Sequence, residues 1–251
     1  MIKVMDKTFA ILEEIVKATP QPLGPQKLAE KLELNAATCS RILKVLLASG
    51  YIVQVSRQAG YVAGPRILTL SNLANVGGDL LSRAVPVADA LARELGESTV
   101  ISQLCRDQRY VLFLVNYNAK LNIHPRQLAY NDIFLTATGI VAAAHLSPKE
   151  QLALYDSQLD IGEALPPLFA DRRQVTAALA EVKRAGFYAA RRGVQWICAA
   201  PIKNYHGFAA SLGCSILYQN HTESELKAIG DNVKFAAKQI SSRLTAVDPV
   251  G

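Results

Sequence analysis

The stretch from Asn35 to Gly50 constrains the fold of this chain more than any other. Asn35 can accept a hydrogen bond from a first-turn amide and cap a helix, and Gly50 can end that helix. Between them, apolar residues recur at helical spacing and predict one buried stripe: Cys39, Ile42, Leu43, Leu46 and Leu47. At about 100° per residue, the opposite face carries small residues and two cations: Ala37, Arg41, Lys44 and Ala48. Such a face can enter a DNA major groove, although an ordinary amphipathic helix with solvated cations has the same pattern.

The neighbouring segments favour the DNA-binding interpretation. Asp6 is predicted to cap a first helix that runs to about Ala18, and Pro25 opens a short second helix. After Gly50, strand formers at 51–55 and 61–63 enclose a polar turn that contains Arg57, which predicts a basic hairpin, or wing. Three helices followed by such a hairpin are typical of a winged helix-turn-helix. The expected DNA contacts are Thr38, Ser40, Arg41, Lys44 and Arg57.

The distribution of charge supports this interpretation. The formal net charge is +6, which favours an anionic partner. No Asp or Glu occurs between Leu34 and Gly78, whereas four cations do: Arg41, Lys44, Arg57 and Arg66. Because a carboxylate facing DNA would be repelled, phosphate contact requires a segment of this kind.

Composition limits the remaining possibilities. The chain has 251 residues, half of them apolar and 19% charged, which indicates a folded protein of one large or two modest domains. No run approaches the roughly 18 apolar residues that span a bilayer, so no membrane partner is expected. With no signal peptide at the start, we expect a cytoplasmic protein with reduced thiols. The four cysteines and four histidines show no ligand spacing, so neither a metal nor a cofactor is expected.

The chain from Gly96 onward changes character. Strands are predicted at 98–105, 110–115, 187–190, 196–202 and 208–217, with a weaker strand at 121–124. Helix starts are predicted after Thr136, Ser147, Asp171 and Thr222. Antiparallel strands flanked by helices, without regular βαβ alternation, predict an α+β sensor domain. Gly77-Gly78 marks a boundary, and the expected organisation is a DNA-binding domain at 1–64, a helical linker at 65–78 and a sensor domain at 79–251.

Candidate ligand-binding residues fall in three places of the second domain. The predicted helix after Thr136 offers free amides that suit a carboxylate. One face of the strand 209–216 consists of small residues, which leave room for a ligand and equally for a closely packed helix. One of the pair Arg191-Arg192 can bind an anionic effector, and both can equally be solvated. The expected effector contacts are Thr136, Ala137, Thr138, Gly139, Arg191, Cys198, Ser211, Gly213 and Ser215.

The order and spacing of these motifs resemble the IclR family of bacterial transcriptional regulators. Residues 34–52 resemble the family's recognition helix, and Gly64-Pro65-Arg66-Ile67-Leu68 resembles the exit from its wing. Thr136-Ala137-x-Gly139 resembles the entry to its ligand-side helix, and Ala199-Ala200-Pro201-Ile202 its strand before the final hairpin. The resemblance implies a winged helix-turn-helix joined by a helical linker to a GAF-like (profilin-like) domain that binds a small effector. It also implies a homodimer or tetramer.

Several positions depart from the family pattern. Ala36 and Ala37 stand where the family often has polar, DNA-contacting residues, and Phe134-Leu135 replaces a common His-Cys pair. Arg191-Arg192 replaces acidic residues, and Cys198 lies one position from the usual cysteine. The effector chemistry therefore has to be derived from this chain's own residues.

We expect a ligand-responsive DNA-binding transcriptional regulator, a repressor of a catabolic operon, with a carboxylate as one candidate effector. Repression or activation depends on where the operator lies relative to a promoter. Two alternatives from other classes are a small hydrolase or thiol enzyme that uses the winged helix only for dimerisation, and a winged helix that binds only protein. No motif combines a nucleophile with a base and an orienting group, so no catalytic residue is expected.

Overall fold

The computed structural model describes residues 3–74, 78–120, 127, 129–159 and 164–246. The chain divides into two compact units, Met1–Gly78 and Asp79–Gly251. Gly77 of the expected boundary and the weak strand predicted at 121–124 lie outside the described residues. Within the described part, no helix combines the length and the apolar character needed to cross a membrane.

The described residues of the N-terminal unit form four helices and one hairpin. Its elements are α1 (Lys3–Ala18), α2 (Pro25–Lys31), α3 (Ala36–Ala48), β1 (Ile52–Ser56), β2 (Gly60–Ala63) and α4 (Pro65–Ala74). The predicted winged helix-turn-helix order is confirmed. Helix α1 already includes Lys3, so Asp6 lies in its first turn and the predicted cap at Asp6 is wrong. An acidic side chain is favourable throughout the first turn, which is why the sequence misplaces this start.

The core of the N-terminal unit explains the pattern of α3. The buried cluster draws on α1, α2, α3 and β1: Ile11, Ile15, Leu28, Cys39, Ile42, Leu43, Leu46 and Ile52. Four of the five predicted stripe residues of α3 are in it, while Leu47 is exposed at the edge of the stripe. The predicted cap is confirmed, because the Asn35 side chain accepts a hydrogen bond of 2.8 Å from the Ala37 amide.

Two glycines attach the wing closely to the helices. A Cβ atom at Gly60, where φ is +105°, would lie 2.4 Å from the carbonyl oxygen of Leu23. A Cβ atom at Gly64 would lie 2.3 Å from the carbonyl oxygen of Gly50. Because no side chain fits at either position, the hairpin is held directly after α3 by backbone contacts.

The C-terminal unit is built on a five-stranded antiparallel sheet in the order β4-β3-β7-β6-β5. The strands are β3 (Ser98–Cys105), β4 (Gln108–Asn116), β5 (Tyr188–Arg192), β6 (Gln195–Asn204) and β7 (Gly207–Leu217). The helices are α5 (Gly78–Leu95), α6 (Ala137–Ala143), α7 (Pro148–Ser157), α8 (Val175–Ala185) and α9 (Glu223–Thr245). The predicted α+β architecture is confirmed.

Each face of the sheet packs on its own set of helices. One apolar cluster contains residues of α5 and α9, and the other contains residues of α6, α7 and α8. Along β6, Cys198 and Ala200 belong to the α9 cluster, whereas Ala199 and the half-buried Ile197 belong to the α6 cluster. This alternation follows from the two-residue period of a strand, and it decides which side chains can face a given cavity.

Side-chain caps start α6, α7 and α9, and the caps of α7 and α9 are the predicted ones. Thr136 accepts a hydrogen bond from the Gly139 amide, and both Ser147 and Thr222 form capping boxes with a glutamate three residues later. Asp171 differs, because its side chain caps the 3₁₀ turn Arg172–Gln174 that precedes α8 and not α8 itself.

Candidate DNA-binding surface and effector cavity

The solvent-facing side of α3 carries the predicted DNA contacts. Ser40, Arg41 and Lys44 are exposed, and Thr38 is half-buried. The Nε atom of Arg41 donates to the carbonyl oxygen of Ala37 at 3.4 Å, which lays its stem along the helix. Within the described part of the chain, neither Arg41 nor Lys44 forms an ion pair, so both charges are available to a partner.

The wing adds one more available cation. Arg57 is exposed at the tip of the hairpin, where the Ser56 hydroxyl accepts a 2.9 Å hydrogen bond from the Ala59 amide. Arg66 has a different role, because its Nη1 donates to the carbonyl oxygen of Ser49 at 2.9 Å. Its guanidinium also lies 5.0 Å from the centre of the Tyr51 ring. Arg66 therefore ties α4 to the end of α3, and the other three cations of the acid-free segment face solvent.

A cavity of about 320 Å³ lies on the α6 face of the sheet in the C-terminal unit. Its walls are mainly apolar and come from four strands and the turn before α6: Val100, Val111, Leu114, Leu135, Ile197 and Gly213. Its polar lining includes two arginines and two serines: Arg109, Arg192, Ser98 and Ser215. An apolar pocket with a few convergent polar groups is the usual form of a small-molecule site.

The structure brings six of the nine predicted effector contacts to this cavity: Thr136, Ala137, Thr138, Cys198, Gly213 and Ser215. Ser211 and Gly139 instead hold α6 in place. The Ser211 hydroxyl donates to the carbonyl oxygen of Thr138 at 2.9 Å, and a Cβ atom at Gly139 would lie 2.3 Å from the carbonyl oxygen of Ile133. The small face of β7 therefore serves both suggested purposes, with helix packing at Ser211 and cavity space at Ser215.

The expected position of Arg191 in the cavity needs correction. Neighbouring residues of a strand point to opposite faces, so only one of the two arginines can face α6. Arg192 lines the cavity, and its Nη1 donates to the carbonyl oxygen of Leu135 at 2.8 Å. Arg191 is exposed, with its guanidinium 4.4 Å from the centre of the Tyr218 ring.

The position of Cys198 also differs from the expected one. Cys198 is a residue of β6 and forms part of the cavity wall, but its side chain belongs to the buried cluster between the sheet and α9. Cys214 is its direct cross-strand partner. Burial, followed by the neighbouring Cys214, raises the pKa of the Cys198 thiol well above its ordinary value. Because a nucleophilic cysteine needs a lowered pKa, this environment counts against a thiol enzyme.

Among the cavity residues that sequence reasoning missed, Arg109 is the charged one. It is only 6% exposed, and its Nε and Nη2 donate to the two carboxylate oxygens of Asp132 at 2.8 and 2.7 Å. The guanidinium also lies 4.9 Å from the centre of the Tyr130 ring. In the sequence, a single arginine just after a turn is typical of a solvated residue, and nothing there signals this burial.

No group of three or more His, Cys, Asp or Glu residues in the described part of the chain is placed to hold a metal ion.

Known family models match both units of the chain. The model of the IclR helix-turn-helix domain matches residues 4–56, and that of the bacterial transcriptional regulator IclR C-terminal domain matches residues 74–242. No curated protein matches the chain.

Several solved structures share the fold over nearly the whole chain. An IclR homolog from Microbacterium hydrocarbonoxydans, complexed with 4-hydroxybenzoate, has a TM-score of 0.78 at 18% identity and covers 96% of this chain and 98% of its own. The IclR protein of Thermotoga maritima has a TM-score of 0.73 at 18% identity and covers 98% of this chain and 100% of its own. HmgR of Pseudomonas aeruginosa has a TM-score of 0.74 at 20% identity, with coverage of 98% and 100%.

Proposed function

Because the chain belongs to the IclR family of bacterial transcriptional regulators, we propose that it represses a catabolic operon until a small effector occupies the cavity of its C-terminal unit. As a member of that family it is a ligand-responsive DNA-binding regulator. The observation that carries the proposal is the exposed face of α3, where Arg41 and Lys44 lack ion pairs within the described residues. In this proposal the protein acts in the cytoplasm, where its operator DNA lies.

The proposed DNA contacts follow from the geometry of the N-terminal unit. Helix α3 lies in the major groove, where Arg41 contacts base edges, Thr38 and Ser40 contact bases or phosphates, and Lys44 contacts a phosphate. Arg57 of the wing contacts a neighbouring phosphate or the minor groove. We assign residues 1–64 to DNA binding, 65–78 to the linker and 79–251 to effector binding. Effector binding then shifts the protein between forms of different operator affinity.

A carboxylate is the effector class that we propose. The support is the apolar cavity with Arg192 in its lining, where a guanidinium can form charge-assisted hydrogen bonds to a carboxylate. The IclR homolog from Microbacterium hydrocarbonoxydans is complexed with 4-hydroxybenzoate, a small aromatic carboxylate, and this also supports the proposal.

Genomic footprinting of the bound sites tests the proposed function. We expect sites with approximate two-fold symmetry beside catabolic genes, and higher expression of those genes in a deletion strain. Lower expression in that strain would contradict repression, and an absence of bound sites would contradict DNA binding.

Oligomerisation is proposed from apolar side chains that α1 and α4 leave in solvent. These are Val4, Met5, Phe9, Leu68, Leu70 and Leu73, and Leu73 alone is 80% exposed. Exposed apolar groups of this kind mark protein contacts, and a second copy of the chain would cover them in a homodimer or a tetramer. A two-fold dimer would also match a palindromic operator.

The variant Leu73→Asp is expected to shift the protein toward monomers, because it places a charge in the proposed subunit contact. Sedimentation velocity measures the change. Leu159→Asp is the matched control, since Leu159 is 53% exposed in the C-terminal unit. An unchanged mass distribution for Leu73→Asp would contradict a contact through α4.

The variant Arg57→Ala is expected to weaken DNA binding by a similar factor for all sequences, because phosphate contacts carry no sequence information. The slope of log K against log salt concentration should decrease in magnitude by about 1. Fluorescence anisotropy across a salt series measures it, with Gln58→Ala as the uncharged neighbouring control. A slope equal to that of the wild type would remove Arg57 from the interface.

A further inference from the structure

Helix α3 carries an exposed aliphatic side chain within its proposed DNA-binding face. Val45 is 62% exposed, although α3 contributes four residues to the buried cluster of the N-terminal unit. Val45 follows Arg41 by four residues and Lys44 by one, so the three side chains share one side of the helix. Single exposed aliphatic residues are common on protein surfaces, so the surroundings of Val45 have to decide whether it has a role.

The charges around Val45 favour a nucleic acid over a protein as its partner. Within the described part of the chain neither Arg41 nor Lys44 forms an ion pair, and the sequence has no Asp or Glu between Leu34 and Gly78. A protein that covered Val45 would also remove water from both cations, which is costly unless carboxylates replace that water. DNA supplies phosphates to such cations, and its major groove also presents an apolar group.

The neighbouring side chains leave Val45 uncovered. The Nε atom of Arg41 donates to the carbonyl oxygen of Ala37, so the arginine stem lies toward the first turn of α3 and away from Val45. Ala37 and Ala48 are exposed on the same side of the helix, and each carries only a methyl group. Because these neighbours are small, the helix can approach the floor of a groove closely enough for Val45 to touch a base.

The apolar group of the major groove is the C5-methyl group of thymine. A valine that packs on this methyl group removes apolar surface from water, whereas over the amino group of cytosine it would bury an unpaired donor. An exposed valine in the groove therefore favours a thymine at the base pair that it contacts.

The helical rise gives the distance between this thymine and the base contacted by Arg41. Four residues of an α-helix advance by about 6 Å, and successive base pairs are about 3.4 Å apart. Val45 therefore reaches a base pair about two steps from the one that Arg41 contacts. The base that arginine prefers is guanine, to which it donates two hydrogen bonds.

We propose, on the basis of the function proposed above, that Val45 is a specificity-determining residue that packs on the methyl group of a thymine in each operator half-site. This thymine lies about two base pairs from the guanine contacted by Arg41. Lys44 contributes affinity for phosphate beside it, and Val45 contributes the choice of base.

Operator duplexes with deoxyuridine in place of thymine test the proposal, because this exchange removes the methyl group and leaves the base pair intact. Competition binding is measured with the full-length protein, without effector and at a fixed salt concentration. At one thymine we expect the exchange in a single half-site to weaken binding roughly 3- to 5-fold, since burial of one methyl group changes a binding constant about fourfold.

Two substitutions of Val45 assign this effect to its side chain. Val45→Ala should weaken binding of the unmodified operator and become insensitive to deoxyuridine at that one position. Val45→Thr keeps one methyl group in the same branched shape and should retain most of the sensitivity. Because Val45 is exposed and alanine favours a helix, the melting temperature of Val45→Ala should stay near that of the wild type.

Val194→Ala is the matched control. Val194 is 64% exposed in the turn between β5 and β6, so the same substitution there should leave operator affinity and deoxyuridine sensitivity unchanged.

Three results would overturn the proposal. One is a wild type that tolerates deoxyuridine at every thymine of its half-sites, and another is a half-site that contains no thymine. The third is a Val45→Ala variant as sensitive to deoxyuridine as the wild type. If that variant also changed its sedimentation coefficient, Val45 would belong to a protein contact instead.

Operator binding by the wild type distinguishes this proposal from the proposed function. If the wild type binds its genomic sites but shows no methyl effect, the role of Val45 is wrong and the regulatory function stands. If the wild type binds no genomic site, the proposed function itself fails.

Discussion

The variant Phe134→Ala is expected to lower the free energy of unfolding of the C-terminal unit by about 3–5 kcal/mol. Phe134 is fully buried in the turn before α6. Its ring makes edge contacts with Tyr155 and Phe169 at centroid distances of 5.5 and 5.1 Å. Because these partners belong to α7 and to a separate 3₁₀ turn, removing the ring leaves a void that several elements border.

Phe235→Ala is the matched control for this experiment. Phe235 lies on α9 and is 70% exposed, so its removal should change the free energy of unfolding by no more than about 0.5 kcal/mol. Urea denaturation followed by circular dichroism measures both variants. The N-terminal unit has its own core, and its transition should not move in either variant. Equal effects of the two substitutions would contradict the packing described for Phe134.

The variant Arg41→Ala is expected to weaken specific operator binding by roughly 1–3 kcal/mol, because it removes the side chain proposed to contact a base. At the contacted position the preference among bases should also relax. Competition binding at fixed salt, with operator variants, measures both effects. Lys44→Ala should instead weaken binding to all DNA sequences alike, since a phosphate contact carries no sequence information.

Arg184→Ala is the control for the loss of positive charge. Arg184 lies near the end of α8, with its side chain 79% exposed, and pairs with Glu181. Its removal changes the net charge by the same amount without touching the N-terminal unit. If Arg41→Ala and Arg184→Ala weaken operator binding equally, α3 is not the recognition helix.

Local chemistry made much of the fold predictable from the sequence. The caps at Asn35, Ser147 and Thr222 act within three residues of themselves, so their motifs alone locate the helix starts. The stripe on α3 depends only on helical periodicity, and it misplaces only Leu47, at its edge. These features need no knowledge of distant contacts.

The composition of the cavity depends on contacts that the sequence does not display. Which of Arg191 and Arg192 lines the cavity depends on which face of the sheet each side chain points to. A shift of the strand by one residue would exchange the two faces. The same parity turns the side chain of Cys198 toward α9. Arg109 becomes a buried cavity residue only because Asp132, 23 positions later, returns to pair with it.

Departures from the family pattern also acquire a physical explanation. Phe134, at a position where the family often has histidine, fills the aromatic cluster beside α6. Arg192, at a position where the family often has an acid, gives the cavity a second cation. Phe134 is not among the residues that line the cavity, so of these two departures only Arg192 changes the lining, by adding a positive charge beside the apolar walls.

Fluorescence anisotropy of the full-length protein on its own genomic operator tests most directly whether the basic N-terminal unit binds DNA under control of the C-terminal cavity. We expect the affinity to fall steeply as salt rises, and to change when a carboxylic acid is added, with 4-hydroxybenzoate as the first probe. Arg192→Met should retain the operator affinity and lose the response to the acid, because it removes the cavity guanidinium proposed to bind the carboxylate. Operator binding that is insensitive to salt, or that responds to the acid equally in the wild type and in Arg192→Met, would contradict this mechanism.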